Sequence, residues 1–253
     1  MIPQFFSGFF GFVKAFGFIG KHKLWSFVLI PGLISLLLAG AIFGGAYASS
    51  DDLGAWIIQL YPFEWGKDTF EWIAGGLSFL LIVLLALLVF KYLVMIVVSP
   101  FMGTLSERVE SKITGQPAPS VSVGAMVSDM VRGIRIALRN LFRELFFVLL
   151  LTIAGSFMGT IIPVVGAFIP AALIFLIQAY FVGFGNMDYL LERKRYGIND
   201  SVAFTRRNKG LAMGNGTAFT LLLFVPILGW FLSPALGTVG ATIEGLKRLE
   251  KEV

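Results

Sequence analysis

From residue 145 to residue 187 the chain carries 43 residues without one charged side chain, and from 211 to 243 it carries another 33. A water-soluble domain cannot bury that much uninterrupted apolar sequence, so the solvent around these segments is lipid. Prolines interrupt both runs, Pro163 and Pro170 in the first, Pro226 and Pro234 in the second. Proline lacks a backbone donor and clashes with the preceding turn. Each run is therefore expected to form two helices joined at a proline corner.

Composition points the same way. Mean hydropathy is +0.85, and hydrophobic residues make up 57% of the chain against 14% charged. A length of 253 residues leaves room for one membrane domain, 1–253. Cysteine is absent and His22 is the single histidine, which excludes disulfides, thiol chemistry and His/Cys metal clusters. No cofactor or metal is expected. The net charge of +5 is not a nucleic-acid signal, because the basic residues sit between apolar runs and mark the cytoplasmic face.

Residues 1–20 hold Phe5, Phe6, Phe9, Phe10, Phe12, Phe16 and Phe18, with Lys14 as the only charged side chain. That pattern suits a helix lying in the membrane interface. The cluster Lys21-His22-Lys23 closes this unit at residue 23, and a first crossing is expected over 24–50. Ala46-Tyr47-Ala48 imitates a signal cleavage site. A leader ending there would be far longer than the usual span of about 15–30 residues, so an uncleaved crossing is expected. Residues 51–71 set five acids against Lys67 and carry Trp56, Tyr61 and Trp65, an aromatic belt. A second crossing is expected over 72–99. About 20 residues span the hydrocarbon core, which places Lys91 near its inner boundary as a snorkelling lysine. A buried lysine there would instead hint at function.

Pro100 is expected to bend the chain into a polar helix, 104–114, that stops at Gly115. Residues 125–144 read as an amphipathic helix with Arg132, Arg135, Arg139 and Arg143 on one face. That face sits among lipid phosphates or forms an electropositive vestibule for anions. Glu107 and Glu110 share a helix face and are candidates to pair with Arg132 or Arg135.

Of the 20 lysines and arginines, 18 fall in the N-terminal cluster, 104–144, 188–210 and the C-terminal tail. The positive-inside rule then puts both termini and both long basic segments in the cytoplasm, and 51–71 outside. Each later apolar run must begin and end inside. The arms 211–225 and 229–243 have 15 residues each. Helices of that length reach about 22 Å, short of a core of roughly 30 Å, so this hairpin is expected to penetrate halfway. The arms of 145–187 are longer and can cross. The corners match: IPVVGAFIP at 162–170 parallels VPILGWFLSP at 225–234, which marks Pro163, Gly166, Pro226 and Gly229 as hairpin tips. Small-residue spacings at Gly40/Gly44, Gly155/Gly159 and Gly210/Gly214 suggest close helix contacts. Hydroxyls and amides in the apolar arms, among them Gln178, Asn215 and Thr217, either glue helices or bond an anion. No nucleophile–base pair or carboxylate pair suggests an enzyme.

At 100–115 the segment PFMGTLSERVESKITG resembles the signature of the CysZ sulfate-uptake proteins, within the wider etoposide-induced membrane-protein family. The similarity runs through Pro100, Phe101, Gly103, Leu105, Glu107, Glu110, Thr114 and Gly115. It continues in order through Asp129, Arg132, the IPVVG corner, Asp188-Tyr189, Arg206-Arg207-Asn208-Lys209, the VPILGWF corner and Gly240-Ala241-Thr242. The resemblance implies an all-α integral membrane fold with two long transmembrane helices, two half-penetrating hairpins and amphipathic interfacial helices. It also implies a homo-oligomer in the bacterial inner membrane that admits sulfate or a similar anion for cysteine synthesis. Members that resemble this chain carry an arginine pair at a helix start, where this chain has Trp25 and Ser26. The candidate anion-binding residues are therefore Lys21, His22, Lys23, Trp25 and Ser26, with charge supplied from just upstream. A non-transporting membrane scaffold of the same family is the alternative reading.

Overall fold

A computed structural model describes residues 1–48, 86, 90–116 and 123–250. All regular elements among them are α-helices: α1 (Ile2–Lys21), α2 (Ser26–Ala48), α3 (Phe90–Val97), α4 (Ser99–Thr114), α5 (Val123–Ile161), α6 (Pro163–Arg193), α7 (Ile198–Arg207), α8 (Lys209–Leu223) and α9 (Leu228–Leu249). The acidic loop 51–71 and most of the crossing expected over 72–99 lie outside the described residues. Ile2–Lys21, Ser26–Ala48 and Phe168–Arg193 are long and apolar enough to cross a membrane. The chain is an all-α membrane protein.

The last hairpin, α8 and α9, forms the centre. Residues 233–242 of α9 are buried without interruption, as are 214–219 of α8. α1, α2, α4 and α6 all pack on α9, and α1 and α6 also flank α8. A helix buried on every side needs small residues, and this one reads Ser233-Pro234-Ala235 and then Gly237, Gly240 and Ala241. Protein rather than lipid covers these stretches of the short arms, while the tip from Phe224 to Leu228 is exposed; such cover is the condition under which a half-penetrating hairpin is tolerated.

The outer surface is apolar where lipid is expected. Phe146, Leu149, Leu150, Ile153 and Phe157 of α5 are exposed, as are Leu29, Ile30, Leu33 and Leu37 of α2. α1 is two-faced, with Phe12, Ala15 and Ile19 buried and Phe6, Phe10, Val13 and Phe16 exposed. The phenylalanine pattern suits the interface, yet the length and hydropathy of α1 put it in the same class as α2.

Two boundaries differ from expectation. The arginine helix and the first arm of the first hairpin are one continuous helix of 39 residues. Neither proline nor a glycine pair stands at 144–145 to separate them. α4 starts at Ser99 rather than 104, because Pro100 occupies its first turn, where a missing N–H costs nothing. α3 and α4 meet at a 64° bend, and α4 ends on left-handed Gly115 (φ 73°), both as the sequence suggests.

The two proline corners are similar but not identical. Pro163 opens α6 directly after extended Ile162, whereas Pro226 lies in the link before α9 and Ile227 holds φ 65°. The glycines have a common use. A Cβ on Gly229 would stand 2.0 Å from the Leu222 carbonyl oxygen, and one on Gly155 would meet the Gly166 carbonyl at 2.9 Å. Pro170 and Pro234 are accommodated inside the returning helices.

Candidate functional site

The α1–α2 corner gathers the candidate anion-binding residues. Lys21 ends α1, His22 caps it, and Lys23 takes a left-handed φ of 54° that reverses the chain. Buried Leu24 anchors the turn, its N–H donating to the Ile19 carbonyl at 3.0 Å. The His22 ring lies 4.3 Å from that of Phe18, and Trp25 meets Phe16 edge-on at 5.5 Å. Anchoring the aromatic side chains leaves Lys21, Lys23 and Ser26 exposed. Arg108 of α4 joins them, its guanidinium 5.8 Å from the Phe27 ring centre. That fourth basic side chain has no signal in local sequence, because it arrives from 81 positions away. Among the described residues none of Lys21, Lys23 and Arg108 forms an ion pair, so the corner carries uncompensated positive charge. The start of α2 contributes less than expected. The N–H groups of Phe27, Val28 and Leu29 already donate to the Leu24 and Trp25 carbonyls, so an anion here relies on side chains.

The charge network takes different partners from those expected. Glu110 does not reach Arg132 or Arg135; it accepts from Arg193 at 2.6 Å and Lys194 at 2.5 Å. Arg132 binds Asp188 with two parallel hydrogen bonds of 3.0 and 3.1 Å, and donates to Ser201 and to the Tyr196 carbonyl. Glu192 stands 3.8 Å from the same guanidinium. The reason is positional. α6 packs against both α4 and α5 and its end supplies a base to α4 and acids to α5. Glu107 is buried, and its Oε1 has no partner among the described residues. Arg135 is exposed.

Lys91 is the clearest correction. It does not snorkel: it is buried in α3 and ion-paired with fully buried Glu144 of α5, which also accepts from the Tyr92 hydroxyl at 2.7 Å. α3 and α5 bring together two charges 53 positions apart, and each offsets part of the cost of burying the other. A cavity of about 30 Å³ lies near this pair, with Tyr92, Asn140, Asp188 and Glu192 in its wall, room for one water. Deeper in, Asn186 donates to Asn215 at 2.8 Å and Asn215 donates to the Gly237 carbonyl at 3.0 Å, which joins α6, α8 and α9. Asn215 thus acts as helix glue.

Glu110 sets a pH dependence. Burial would raise its carboxyl, but the hydrogen bonds and charges of Lys194 and Arg193 outweigh it and hold the group below the ordinary carboxylate range. A depressed folded pKa contributes stability that is complete above the unfolded pKa and is lost as pH falls through the folded one. Thermal unfolding from about pH 7 to about pH 3 should show wild type above Glu110→Gln at the upper end, with the gap closing on acidification. A gap that stays constant would remove Glu110 from the pH response.

Among the described residues no group of His, Asp or Glu could hold a metal ion. The geometry instead offers an exposed, unpaired basic corner and an internally neutralised charge network on one helical scaffold. A family model described as sulfate transporter CysZ/etoposide-induced protein 2.4 matches residues 11–234.

Proposed function

The chain belongs to the sulfate transporter CysZ/etoposide-induced protein 2.4 family, and from that premise we propose that it passes sulfate or a related oxyanion across the bacterial inner membrane for sulfur assimilation. The observation that carries the reading is the extent of the family match, which takes in the basic corner, the charge network and both proline corners. The protein would act as a homo-oligomer with both termini in the cytoplasm. Lys21, Lys23 and Arg108 would collect the anion, taking the part of the absent arginine pair, with Ser26 adding a hydroxyl. The hairpin tips at Pro163, Gly166, Pro226 and Gly229, set side by side in the oligomer, would form the gate. The exposed apolar side chains at both tips, Ile162 and Phe168 in one and Phe224 and Ile227 in the other, support contact with lipid or a second copy.

Radiolabelled sulfate uptake into proteoliposomes tests the proposal. Uptake above empty vesicles is expected. Lys21→Gln with Lys23→Gln should reduce it about tenfold, the worth of roughly one charge-assisted contact. Uptake no faster than in empty vesicles would reject transport. One observation favours the scaffold alternative: the first-turn N–H groups of α2 are already occupied. In that case the purified protein would bind neither sulfate, sulfite nor phosphate.

A further inference from the structure

A cleft of about 560 Å³ opens where α5, α6, α7 and α8 meet, away from the α1–α2 corner. Its wall contains Arg139, Arg143, Arg206 and Lys209, and no aspartate or glutamate. Among the described residues none of the four forms an ion pair. Tyr180 shares the wall with these cations. Burial, and then the facing Arg143 cation, lower the pKa of Arg139, and an anion seated here would relieve the second effect.

The remainder of the wall is apolar. Phe147 lies one turn beyond Arg143 on α5, and Ile177, Leu176 and Leu173 continue along α6 from Tyr180. From Tyr180 to Leu173 the wall extends by about 10 Å of helix rise. Phe147 and Leu173 are themselves exposed and continuous with the apolar face of α5 formed by Phe146 and Leu150. The cleft is thus charged at one end and opens toward hydrocarbon at the other.

We propose that this cleft is a binding site for an anionic glycerophospholipid, with its phosphate headgroup on Arg139, Arg143, Arg206 and Lys209 and an acyl chain along Phe147, Leu173, Leu176 and Ile177. A free inorganic anion would use the cations but leave the apolar wall bare; a zwitterionic lipid would use the wall but bring its own ammonium up against the four cations. Only an anionic amphiphile matches both halves. The site is independent of the sulfate reading, because it shares no residue with the α1–α2 corner.

Native mass spectrometry of the full-length protein, titrated in detergent with phosphatidylglycerol or phosphatidylethanolamine, tests this. Wild type is expected to prefer phosphatidylglycerol, and Arg143→Gln with Arg206→Gln to reduce that preference roughly tenfold. Arg135→Gln, which removes an exposed arginine of α5 outside the cleft, should keep it. Ile177→Trp, which fills the apolar wall and leaves every charge in place, should weaken phosphatidylglycerol binding as well. Two results would overturn the proposal: equal loss in Arg135→Gln, which would mean general surface attraction, or full displacement of phosphatidylglycerol by millimolar inorganic phosphate, which would mean a free-anion site. Sulfate flux is not read in this experiment, so its failure and that of the transport proposal are separable.

Discussion

Glu144→Gln is expected to destabilise the folded protein by about 3–5 kcal/mol, because it leaves the Lys91 ammonium buried without its counter-ion. The carboxylate of Glu144 is fully buried and receives both Lys91 and the Tyr92 hydroxyl. Glutamine preserves the shape and one acceptor, so the loss reports charge rather than packing. The companion variant carries the argument. Lys91→Met combined with Glu144→Leu removes both charges together, and such replacements are often neutral or stabilising. Tyr92 would then lack its acceptor, at a cost of about 1 kcal/mol. The double variant should therefore recover most of the stability lost by Glu144→Gln. Thermal unfolding of the purified protein in one detergent provides the comparison. Equal destabilisation of the two variants would show that the ion pair is not the source.

Gly216→Val is expected to cost about 3 kcal/mol or more, at the upper end of overpacking effects. A Cβ on Gly216 would stand 1.7 Å from the Ala179 carbonyl oxygen, and one on Gly183 would stand 1.8 Å from that of Ala212. The two glycines thus let the backbones of α6 and α8 touch from both sides. A shift of α8 away from α6 is blocked, since α1 lies against it with the Phe5 carbonyl 1.9 Å from a Cβ on Gly214. No side chain can yield, because the obstacles are backbone atoms. Gly40→Val and Gly44→Val are the controls: among the described residues nothing lies within 4 Å of a Cβ at either position. They should stay within about 0.5 kcal/mol of wild type in the same unfolding assay. Similar losses at all three positions would point to a general effect of removing glycine.

These glycines show how far a spacing pattern can be read. Gly210/Gly214, Gly155/Gly159 and Gly40/Gly44 are alike in sequence. Gly210 and Gly214 meet the α1 backbone, Gly155 meets the opposite arm of its hairpin, and Gly40 and Gly44 meet no neighbour among the described residues. Spacing records that a close approach is possible, and only a partner helix makes it happen. Lys91 teaches the same lesson for charge. Its position in an apolar run suggested the membrane boundary, but its environment was decided by Glu144, the last charge before the 43-residue run. Of the proposed anion corner, Lys21, His22, Lys23, Trp25 and Ser26 were legible in sequence, and Arg108 was not.

The sequence by itself determined the solvent, the helical class and the places where the chain turns. Those properties follow from local causes: uncharged length, the missing N–H of proline, and the left-handed freedom of Gly115. Tertiary structure alone decided that the short hairpin of α8 and α9 is the buried centre, that Arg132 answers Asp188 and Glu110 answers Arg193, and that four cations share a cleft with an apolar wall. Pairing of this kind depends on which helix faces meet, and α6 reaches an acid on α4 and a base on α5 that no run of adjacent residues brings together.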